Sequence, residues 1–459
     1  MDAFIRPFGN LLVFVYHCFD RIVINGYLNG LSRPEQVVHF VRQVLGIPVV
    51  DKEVLSKRTN EYQSWVEAYA RNHKIPIEWA GKGVRKEDCV LPALRRMVKK
   101  NAYGVYFIFK SMEQGRTFRI SMPKYPTKDP NHRILAHQTS RFTHYYFYVR
   151  DEVLGPIVIR VASFFPFHAT YYLNGHSFME QELKRANIGF RKDDNAFLAV
   201  GDVAALQAAA DRLSPAIIRK QLDYWTLILG PKFSKKERSR MSLSRFYSIS
   251  QIEYCRNFIF KRHFPIHKIF ERSCEIGLWR LTANRISEIF GVRLDKRLKG
   301  KLATVIDQIE HGHHVFRAYW KHAFLKQYEK FSCFLRNELC SNDLRDFGLR
   351  RDSIISTPFA KGSGPSRTVS RTSRRRASMS MSIFRCCKGS LCPSPSAQFV
   401  IPESKFMTPG SSVCSKSCCI TAARSAAGPP DRFTMPSSPR FSCLRKRTRS
   451  TSSATICAS

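Results

Sequence analysis

Residues 143–162 read Thr-His-Tyr-Tyr-Phe-Tyr-Val-Arg-Asp-Glu-Val-Leu-Gly-Pro-Ile-Val-Ile-Arg-Val-Ala. Residues 143–150 are dense in aromatic side chains, and residues 157–162 are rich in branched apolar ones. Both types favour extended backbone, whereas the intervening Gly155-Pro156 favours a turn. The stretch therefore predicts a β-hairpin.

Further strand and helix patterns lie on both sides of this hairpin. Asn25-Gly26, Gln114-Gly115 and Asn174-Gly175 each follow an apolar run and have the composition of turns. The chain therefore predicts an α+β fold, with mixed β-hairpins and helices in two or three subdomains. The other predicted strands cover 19–24, 105–109, 119–122, 169–173, 315–320, 323–328 and 333–339. The predicted helices cover 34–45, 51–73, 87–100, 178–186, 203–213, 266–275 and 284–290.

Changes in composition divide the chain into four segments. Residues 1–130 predict an N-terminal α+β domain, and residues 131–231 predict a domain of β-hairpins and helices. Residues 232–350 predict a basic domain of helices and strands. Residues 351–459 differ from all of these, since they hold 25 Ser, eight of the 14 Cys and only three acids.

Two explanations fit the composition of residues 351–459: a disordered basic tail, or a segment translated out of frame. Disordered tails are usually poor in Cys. When residues 379–388 are back-translated with ordinary codons and read two nucleotides later, they give a strand-like sequence. We therefore expect a frameshift after about residue 350, with the disordered tail as the alternative.

The charge of the chain predicts a polyanionic partner. Of the formal net charge of +39, the last segment carries 18 Lys/Arg and three acids, so residues 1–350 retain +24. Such an excess favours nucleic acid as partner. The apolar run 11–16 is too short to span a membrane. We expect a cytoplasmic protein with no membrane contact, and the sequence leaves the oligomeric state open.

Two short segments concentrate the positive charge. Both are suited to phosphate contacts, although a solvated linker would have the same composition. Residues 282–304, which include the second segment, also have a weak helix-turn-helix pattern. The predicted nucleic-acid-binding residues in the two segments are Lys232, Lys235, Lys236, Arg238 and Arg240, and then Arg297, Lys299 and Lys301.

The strands 323–328 and 333–339 carry a more distinctive pattern. Lys326, Tyr328 and Lys330 alternate onto one face, as Arg336 and Glu338 do on the next strand. Such a face can hold phosphates and stack a base, while a cross-strand ion pair is the alternative. Tyr328 is the candidate catalytic residue if the protein is an enzyme.

A few residues of the sequence are candidate metal ligands. His311 and His313 could hold a divalent cation, but a polar turn explains them as well. The acids Asp20, Asp151, Glu152, Asp193 and Asp194 are further candidates. The six Cys of residues 1–350 have no Cys-x-x-Cys spacing, so they predict reduced thiols rather than a zinc knuckle. We expect no cofactor, except a divalent metal if the protein is an enzyme.

The chain resembles a family of uncharacterised bacterial proteins that occur in many copies per genome. Full-length members carry a winged-helix-like C-terminal segment, which we expect to be missing from this chain. The strand pair with Tyr328 also weakly resembles one in the replication initiators of filamentous phages and small plasmids. The family resemblance rests on Phe19-Asp20-Arg21, Tyr145-Tyr146-Phe147-Tyr148, Phe165-Pro166-Phe167, Asn174-Gly175, Asn187-Ile188-Gly189-Phe190, Asp194-Asn195, Tyr328-x-Lys330, Leu335-Arg336-x-Glu338, Asn342 and Asp346-Phe347.

Three functions follow as hypotheses. The first is nucleic-acid binding, linked through the family resemblance to a mobile or repeated element. The second is a metal-dependent enzyme that nicks DNA or transfers strands. The third is a non-catalytic structural or interaction protein. Residues 1–350 contain no Walker loop, dinucleotide-binding fingerprint, Gly-x-Ser-x-Gly or His-Glu-x-x-His motif, which removes the commonest enzyme signatures.

Overall fold

The computed structural model describes residues 6–81, 85–241, 245–279, 302–308, 314–320 and 323–342. The predicted out-of-frame segment 351–459, the basic residues Arg297, Lys299 and Lys301, and the candidate metal ligands His311 and His313 lie outside the described residues. So does most of the helix-turn-helix pattern.

Eleven strands of the described chain form one sheet, in which only the pair β2–β3 is parallel. The order across the sheet is β10-β11-β12-β13-β9-β1-β6-β5-β4-β3-β2, while β7 and β8 form a separate hairpin. The strands are β1 (Leu12–Leu28), β2 (Ile77–Trp79), β3 (Gly104–Ser121), β4 (Ile134–Asp151), β5 (Gly155–Ala162), β6 (Ala169–Leu173), β7 (Phe190–Asp193), β8 (Ala196–Val200), β9 (Arg245–Phe260), β10 (Leu302–Gln308), β11 (His314–Trp320), β12 (Ala323–Lys330) and β13 (Phe334–Ser341).

Eight α-helices are interspersed with these strands in the described residues, so the α+β prediction is confirmed. Several helices begin at a polar cap; for example, the carboxylate of Asp51 accepts a hydrogen bond from the backbone N–H of Val54. The helices are α1 (Pro34–His39), α2 (Lys52–Asn72), α3 (Lys86–Lys99), α4 (Gly175–Arg185), α5 (Val203–Arg212), α6 (Pro215–Leu229), α7 (Lys235–Arg240) and α8 (Phe264–Trp279). None of these described helices has the length and apolar character of a membrane span.

The predicted hairpin around Gly155-Pro156 is confirmed, because β4 pairs antiparallel with β5 from His144↔Ala162 to Asp151↔Gly155. The single sheet runs through all three segments predicted for residues 1–350. Strands β1, β6 and β9, one from each segment, are neighbours near its centre. Backbone pairing therefore joins the three segments.

Two predicted turns lie inside strands instead. Asn25-Gly26 belongs to β1, and Gln114-Gly115 belongs to β3, which pairs continuously with β4 out to Ser121↔Ile134. In both places an aromatic ring uses the space that a Cβ would fill, and a Cβ on Gly26 would lie 2.9 Å from the Tyr171 ring. Glycine is needed there for close packing, and strand pairing overrides the local turn preference.

The central strands are covered on both faces. Leu206, Ala209 and Ala210 of α5, with Met179 and Leu183 of α4, pack on one face of β1 and β9. On the opposite face, Ile266 and Ile269 of α8 pack against Phe258 and Phe260 of β9 and Leu335 of β13. Any polar group between the central strands and α4 is therefore removed from water.

Candidate functional site

Four neighbouring strands, β1, β9, β13 and β12, carry polar side chains on the face that α4 covers. Because directly paired residues of an antiparallel sheet point to the same side, the register lines these side chains up in two rows. The first row is Cys18, Cys255, Glu338 and Lys326, and the second is Tyr16, Asn257, Arg336 and Tyr328. We call this cluster, together with Asp20, His176 and Asn195, the central polar cluster.

Arg336 lies at the centre of the cluster and is fully buried. Its Nε donates a 2.7 Å hydrogen bond to Oδ1 of Asn257, and one Nη donates to the backbone carbonyl of Asn195. The other Nη lies 3.5 Å from a carboxylate oxygen of Asp20 and 3.5 Å from one of Glu338. Arg336 is therefore an internal cation between two carboxylates, not an exposed phosphate contact.

Asp20 reaches the cluster from an irregular position in β1, where the pairing with β9 shifts between Phe19 and Arg21. Its carboxylate accepts two hydrogen bonds, of 2.8 and 2.9 Å, from Nδ2 of Asn195. It also lies 3.0 Å from Nδ1 of His176. Burial would raise the pKa of Asp20, but the His176 hydrogen bond and the charges around it lower that pKa to about 2.

His176 enters the cluster from the first turn of α4. The side chain of Asn174 caps this helix by accepting from the backbone N–H groups of His176 and Ser177. A Cβ on Gly175 would lie 2.0 Å from the carbonyl oxygen of Phe19, so the helix starts in direct contact with β1. The capped turn thus places the imidazole beside Asp20.

Tyr328 and Glu338 form the outer part of the cluster. The Tyr328 hydroxyl donates a 2.6 Å hydrogen bond to Oε1 of Glu338, and Nζ of Lys326 lies 3.3 Å from the other carboxylate oxygen. Lys326 also lies 4.2 Å from the centre of the Tyr328 ring. Burial raises the pKa of Glu338, and burial likewise raises that of Tyr328 against the opposing charge of Arg336.

Lys330 marks the rim of the cluster. Its Nζ lies 2.7 Å from Oδ2 of Asp194 in the turn between β7 and β8, and it also bonds the side chain of Asn195. The predicted alternation of Lys326, Tyr328 and Lys330 on one face agrees with the β12–β13 register. The three side chains are partly exposed, whereas Arg336 and Glu338 are buried beneath them.

Cys18, Cys255 and His176 form a compact triad within the cluster. Sγ of Cys18 lies 3.6 Å from Sγ of Cys255 and 3.4 Å from Nε2 of His176. Among the described residues, this is the group of Cys, His, Asp and Glu side chains close enough to share a metal ion. Burial raises the pKa of Cys18, whereas Cys18 and the positive charge of Arg336 outweigh burial at Cys255 and lower its pKa.

The basic segment 232–240 lies elsewhere on the chain, and most of it is helical rather than a solvated linker. Residues 235–240 form the helix α7, because Ser234 and Glu237 make a capping box that starts it. Lys232 donates to the backbone carbonyls of Leu227 and Ile228, which lie in the last turn of α6. The four cations beyond it, Lys235, Lys236, Arg238 and Arg240, are exposed.

A further basic region was not among the predicted binding residues. Strand β5 pairs only with residues 144–151 of β4, so β3 and β4 continue beyond it as a two-stranded ribbon. We call residues 111–121 and 134–143, with the loop 122–133, the β3–β4 ribbon. Its cations are Arg116, Arg119, Lys124, Lys128, Arg133 and Arg141.

The acids of the β3–β4 ribbon are already paired within the protein. Glu113 lies 2.7 Å from a guanidinium nitrogen of Arg160, and Asp129 lies 2.6 Å from one of Arg42. Neither acid balances the ribbon's own cations. Apart from Arg133, those cations are also exposed.

Sequence spacing could not bring the central polar cluster together, since its members come from residues 16–20, 174–195, 255–257 and 326–338. Asp20 was a candidate only as an isolated acid, and His176, Asn195 and Asn257 were not considered. The signal that could have been used is Asn174, which caps α4 rather than forming a hairpin turn. Asp151, another candidate acid, is buried and bonded to Trp225 and the turn before β5.

No protein-family model matches this chain, and comparisons with curated proteins and with solved structures find no match.

Proposed function

We propose that this protein binds nucleic acid through the phosphate backbone, with the β3–β4 ribbon as the main contact. The observation that carries the proposal is the ribbon's excess of exposed cations over acids that are already paired elsewhere. Clustered cations on an exposed surface attract phosphates and release the counterions bound to them. The charge of +24 on residues 1–350 supports the same partner.

The shape of the ribbon also suits this partner. A two-stranded antiparallel ribbon fits the major groove of B-form DNA, as an α-helix does. Arg119 and Arg116 lie on opposite faces of β3, so cations are available on both sides of such a ribbon. At the loop, Tyr125 is 73% exposed and the Nζ of Lys124 lies 5.6 Å from its ring. Tyr125 can stack on an unpaired base.

The second basic patch is formed by the exposed side chains of α7. Lys235, Lys236, Arg238 and Arg240 lie within six residues, and the acid in that helix, Glu237, is buried and paired with Arg58. These residues extend the set of phosphate contacts. The biological setting that we propose, from the family resemblance, is a cytoplasmic role on behalf of a mobile or repeated element.

The salt dependence of binding tests the proposal. We expect the full chain to bind duplex DNA with an affinity that falls steeply as salt rises. The variant Arg116→Ala/Arg119→Ala/Lys128→Ala should reduce the logarithmic salt slope by about 0.9 for each phosphate that it no longer neutralises. Its matched control is Lys184→Ala/Arg185→Ala, because both of those cations are already paired with acids on α4.

Two results would count against nucleic-acid binding. A full chain whose affinity for duplex and single-stranded DNA and RNA did not respond to salt would leave the structural or interaction role. The ribbon variant removes three cations and the α4 control removes two. An equal decrease of the slope for each cation removed would show that the charge acts generally and that the ribbon is not the contact.

We propose phosphoryl transfer by Tyr328 as a second function, favoured by its 2.6 Å hydrogen bond to Glu338. In this step the Tyr328 oxygen attacks a backbone phosphorus, and its proton passes to the Glu338 carboxylate. The bond from phosphorus to the leaving sugar oxygen breaks, and Lys326 can supply the proton that this oxygen takes up. The product is a phosphotyrosine linked to one end of the cut strand.

Covalent capture tests this second function. If it operates, single-stranded DNA incubated with the full chain and Mg²⁺ or Mn²⁺ will yield a protein–DNA adduct that Tyr328→Phe abolishes. Tyr319→Phe, on the adjacent strand β11, is the matched control and should retain the adduct. Cleavage that persists in Tyr328→Phe would exclude Tyr328 as the nucleophile.

A further inference from the structure

We propose that Cys18, Cys255 and His176 bind a zinc ion, with the Tyr16 hydroxyl at the fourth corner of the site. All four side chains are buried and belong to the central polar cluster. This inference does not depend on nucleic-acid binding, because the residues concerned are separate from the β3–β4 ribbon.

Two separations among the three ligand atoms are close to those in a tetrahedral zinc centre. With Zn–S bonds of about 2.3 Å and Zn–N bonds of about 2.05 Å, tetrahedral angles place two sulfurs about 3.8 Å apart and a sulfur and a nitrogen about 3.6 Å apart. The observed separations are 3.6 Å between Sγ of Cys18 and Sγ of Cys255, and 3.4 Å between Sγ of Cys18 and Nε2 of His176. The three ligand atoms all lie within 4.8 Å of one another. Sγ of Cys18 also lies 3.7 Å from Nδ1, so the sulfur lies beside the ring, and the imidazole must change its orientation to share an ion with both thiols.

The hydroxyl of Tyr16 is the proposed fourth ligand. Its hydroxyl oxygen lies 3.3 Å from Nε2 of His176, the separation that Zn–N and Zn–O bonds of about 2.0 Å give at a tetrahedral angle. The backbone N–H of Phe197 donates to the same oxygen at 3.0 Å, which orients it. A closed set of four protein ligands is typical of a structural zinc site.

Asp20 gives the imidazole the tautomer that a metal requires. Because Oδ1 of Asp20 lies 3.0 Å from Nδ1 of His176, the proton resides on Nδ1 and the lone pair of Nε2 is left for a metal ion. In many zinc sites, the ring nitrogen of histidine that does not bind the metal donates a hydrogen bond to a carboxylate in this way. Nε2 also lies near the Tyr16 hydroxyl and Cys18, and its single lone pair cannot bond to both. One Nη of Arg336 also lies 3.5 Å from Nε2. Several groups therefore compete for this one lone pair, which a bound metal ion would take.

The surroundings balance the charge of a metal site. Two thiolates neutralise a divalent ion, and the Arg336 guanidinium is matched by the Asp20 carboxylate 3.5 Å away. Nδ2 of Asn257 donates to Sγ of Cys255 at 3.3 Å, a contact that stabilises negative charge on sulfur. The neighbouring carboxylate of Glu338 is matched by Lys326, 3.3 Å away. The buried site is then neutral overall, as a low-dielectric interior requires.

The ligand set favours zinc over the alternatives. Thiolate and imidazole ligands disfavour Mg²⁺ and Ca²⁺, which prefer oxygen. A disulfide between Cys18 and Cys255 would require the sulfurs to approach from 3.6 Å to about 2.05 Å, against a strand register fixed by β1 and β9. The bound ion would link three distant parts of the chain: β1, α4 and β9.

Metal analysis of the untagged full chain, purified without chelator, tests the proposal. We expect one zinc ion per chain, reduced to background in Cys18→Ser and in Cys255→Ser. Cys340→Ser is the matched control, because Cys340 is also a buried thiol on a central strand but is outside the triad. Its zinc content should equal that of the wild-type chain.

Cobalt substitution keeps the test decisive even if the serine variants fail to fold. Replacing zinc with Co²⁺ in the wild-type chain should give the thiolate-to-cobalt charge-transfer absorption and the visible bands of tetrahedral cobalt. A chelator should lower the Tm of the wild-type chain and of Cys340→Ser. Folded wild-type protein that holds no stoichiometric metal and shows no charge-transfer band with Co²⁺ would overturn the zinc site, as would a Cys18–Cys255 disulfide.

Discussion

Nε of Arg336 donates a 2.7 Å hydrogen bond to Oδ1 of Asn257, its directly opposite neighbour in β9. The pair joins two central strands while the rest of the guanidinium contacts Asp20 and Glu338. Removing one partner of a buried ion pair leaves an uncompensated charge. The resulting loss of unfolding free energy is usually larger than the net stabilisation that the pair provides.

Arg336→Met should therefore lower the free energy of unfolding by about 3–5 kcal/mol, because it leaves the buried Asp20 carboxylate without the Arg336 charge. Urea unfolding of the two proteins measures the difference. Arg185→Ala is the comparison, since Arg185 is exposed and its ion pair with Glu182 should be worth less than about 1 kcal/mol. A loss at Arg336 as small as that at Arg185 would contradict a structural role for the buried cation.

Gly175→Ala should separate α4 from β1. The added Cβ would lie 2.0 Å from the backbone oxygen of Phe19, which cannot move independently of the strand. We expect a loss of at least about 2 kcal/mol in unfolding free energy. Gly189→Ala is the control, because nothing lies within 4 Å of its Cβ position. If the two substitutions had equal effects, the close approach would not constrain the helix.

Asp151→Ala should destabilise the turn between β4 and β5. Its carboxylate accepts from the backbone N–H groups of Val153 and Leu154 and from Nε1 of Trp225 at 2.6 Å. Deleting this carboxylate leaves buried N–H donors without an acceptor. Each donor that water cannot reach should lower the free energy of unfolding by about 1–3 kcal/mol. Thermal unfolding compared with Asp193→Ala, an exposed acid, tests this. An unchanged Tm for Asp151→Ala would argue against the network.

Acid should destabilise the protein between pH 6.5 and 4 through two buried histidines. Burial lowers the pKa values of His144 and His168 to about 4 from an ordinary 6.5, and Arg160 adds to this at both. The unfolded chain then binds more protons than the folded one in this window, so stability is complete above pH 6.5 and falls toward pH 4.

Urea midpoints across that pH range measure the effect. His168→Gln and His144→Gln should each flatten the pH dependence between 6.5 and 4. The two effects are coupled, because a charge on His144 also lowers the pKa of His168. His73→Gln, at an exposed position on the C-terminal side of α2, should leave the dependence unchanged. A pH profile that stayed equally steep in the double variant His144→Gln/His168→Gln would assign the acid sensitivity to other groups.

Tyr125→Ala should weaken binding to single-stranded nucleic acid if the loop of the β3–β4 ribbon stacks on bases. The exposed ring offers one stacking surface, so we expect a loss of roughly tenfold in affinity. Tyr125→Phe keeps the ring and should bind as the wild-type chain does. Equal losses in both variants would assign the effect to the hydroxyl.

Local sequence patterns predicted much of the secondary structure. The aromatic and branched runs flanking Gly155-Pro156 do form paired strands, and the helix predicted at residues 51–73 is α2 with Asp51 as its cap. These features depend on side-chain propensities acting within a few residues. The turns predicted at Asn25-Gly26 and Gln114-Gly115 were wrong, because neighbouring strands and aromatic rings decide those positions.

The sequence by itself determined the α+β class and the excess of positive charge. It also determined the alternation that places Tyr328 and Arg336 on the faces of neighbouring strands. Only the tertiary structure decided that Arg336 is an internal cation and that Cys18, Cys255 and His176 meet. Propensity and charge are properties of nearby residues, and a sequence displays them directly. Cys18 is 158 positions from His176 and 237 positions from Cys255 in the sequence. Their contacts depend on the register of β1 with β9 and on the docking of α4, which no local pattern encodes.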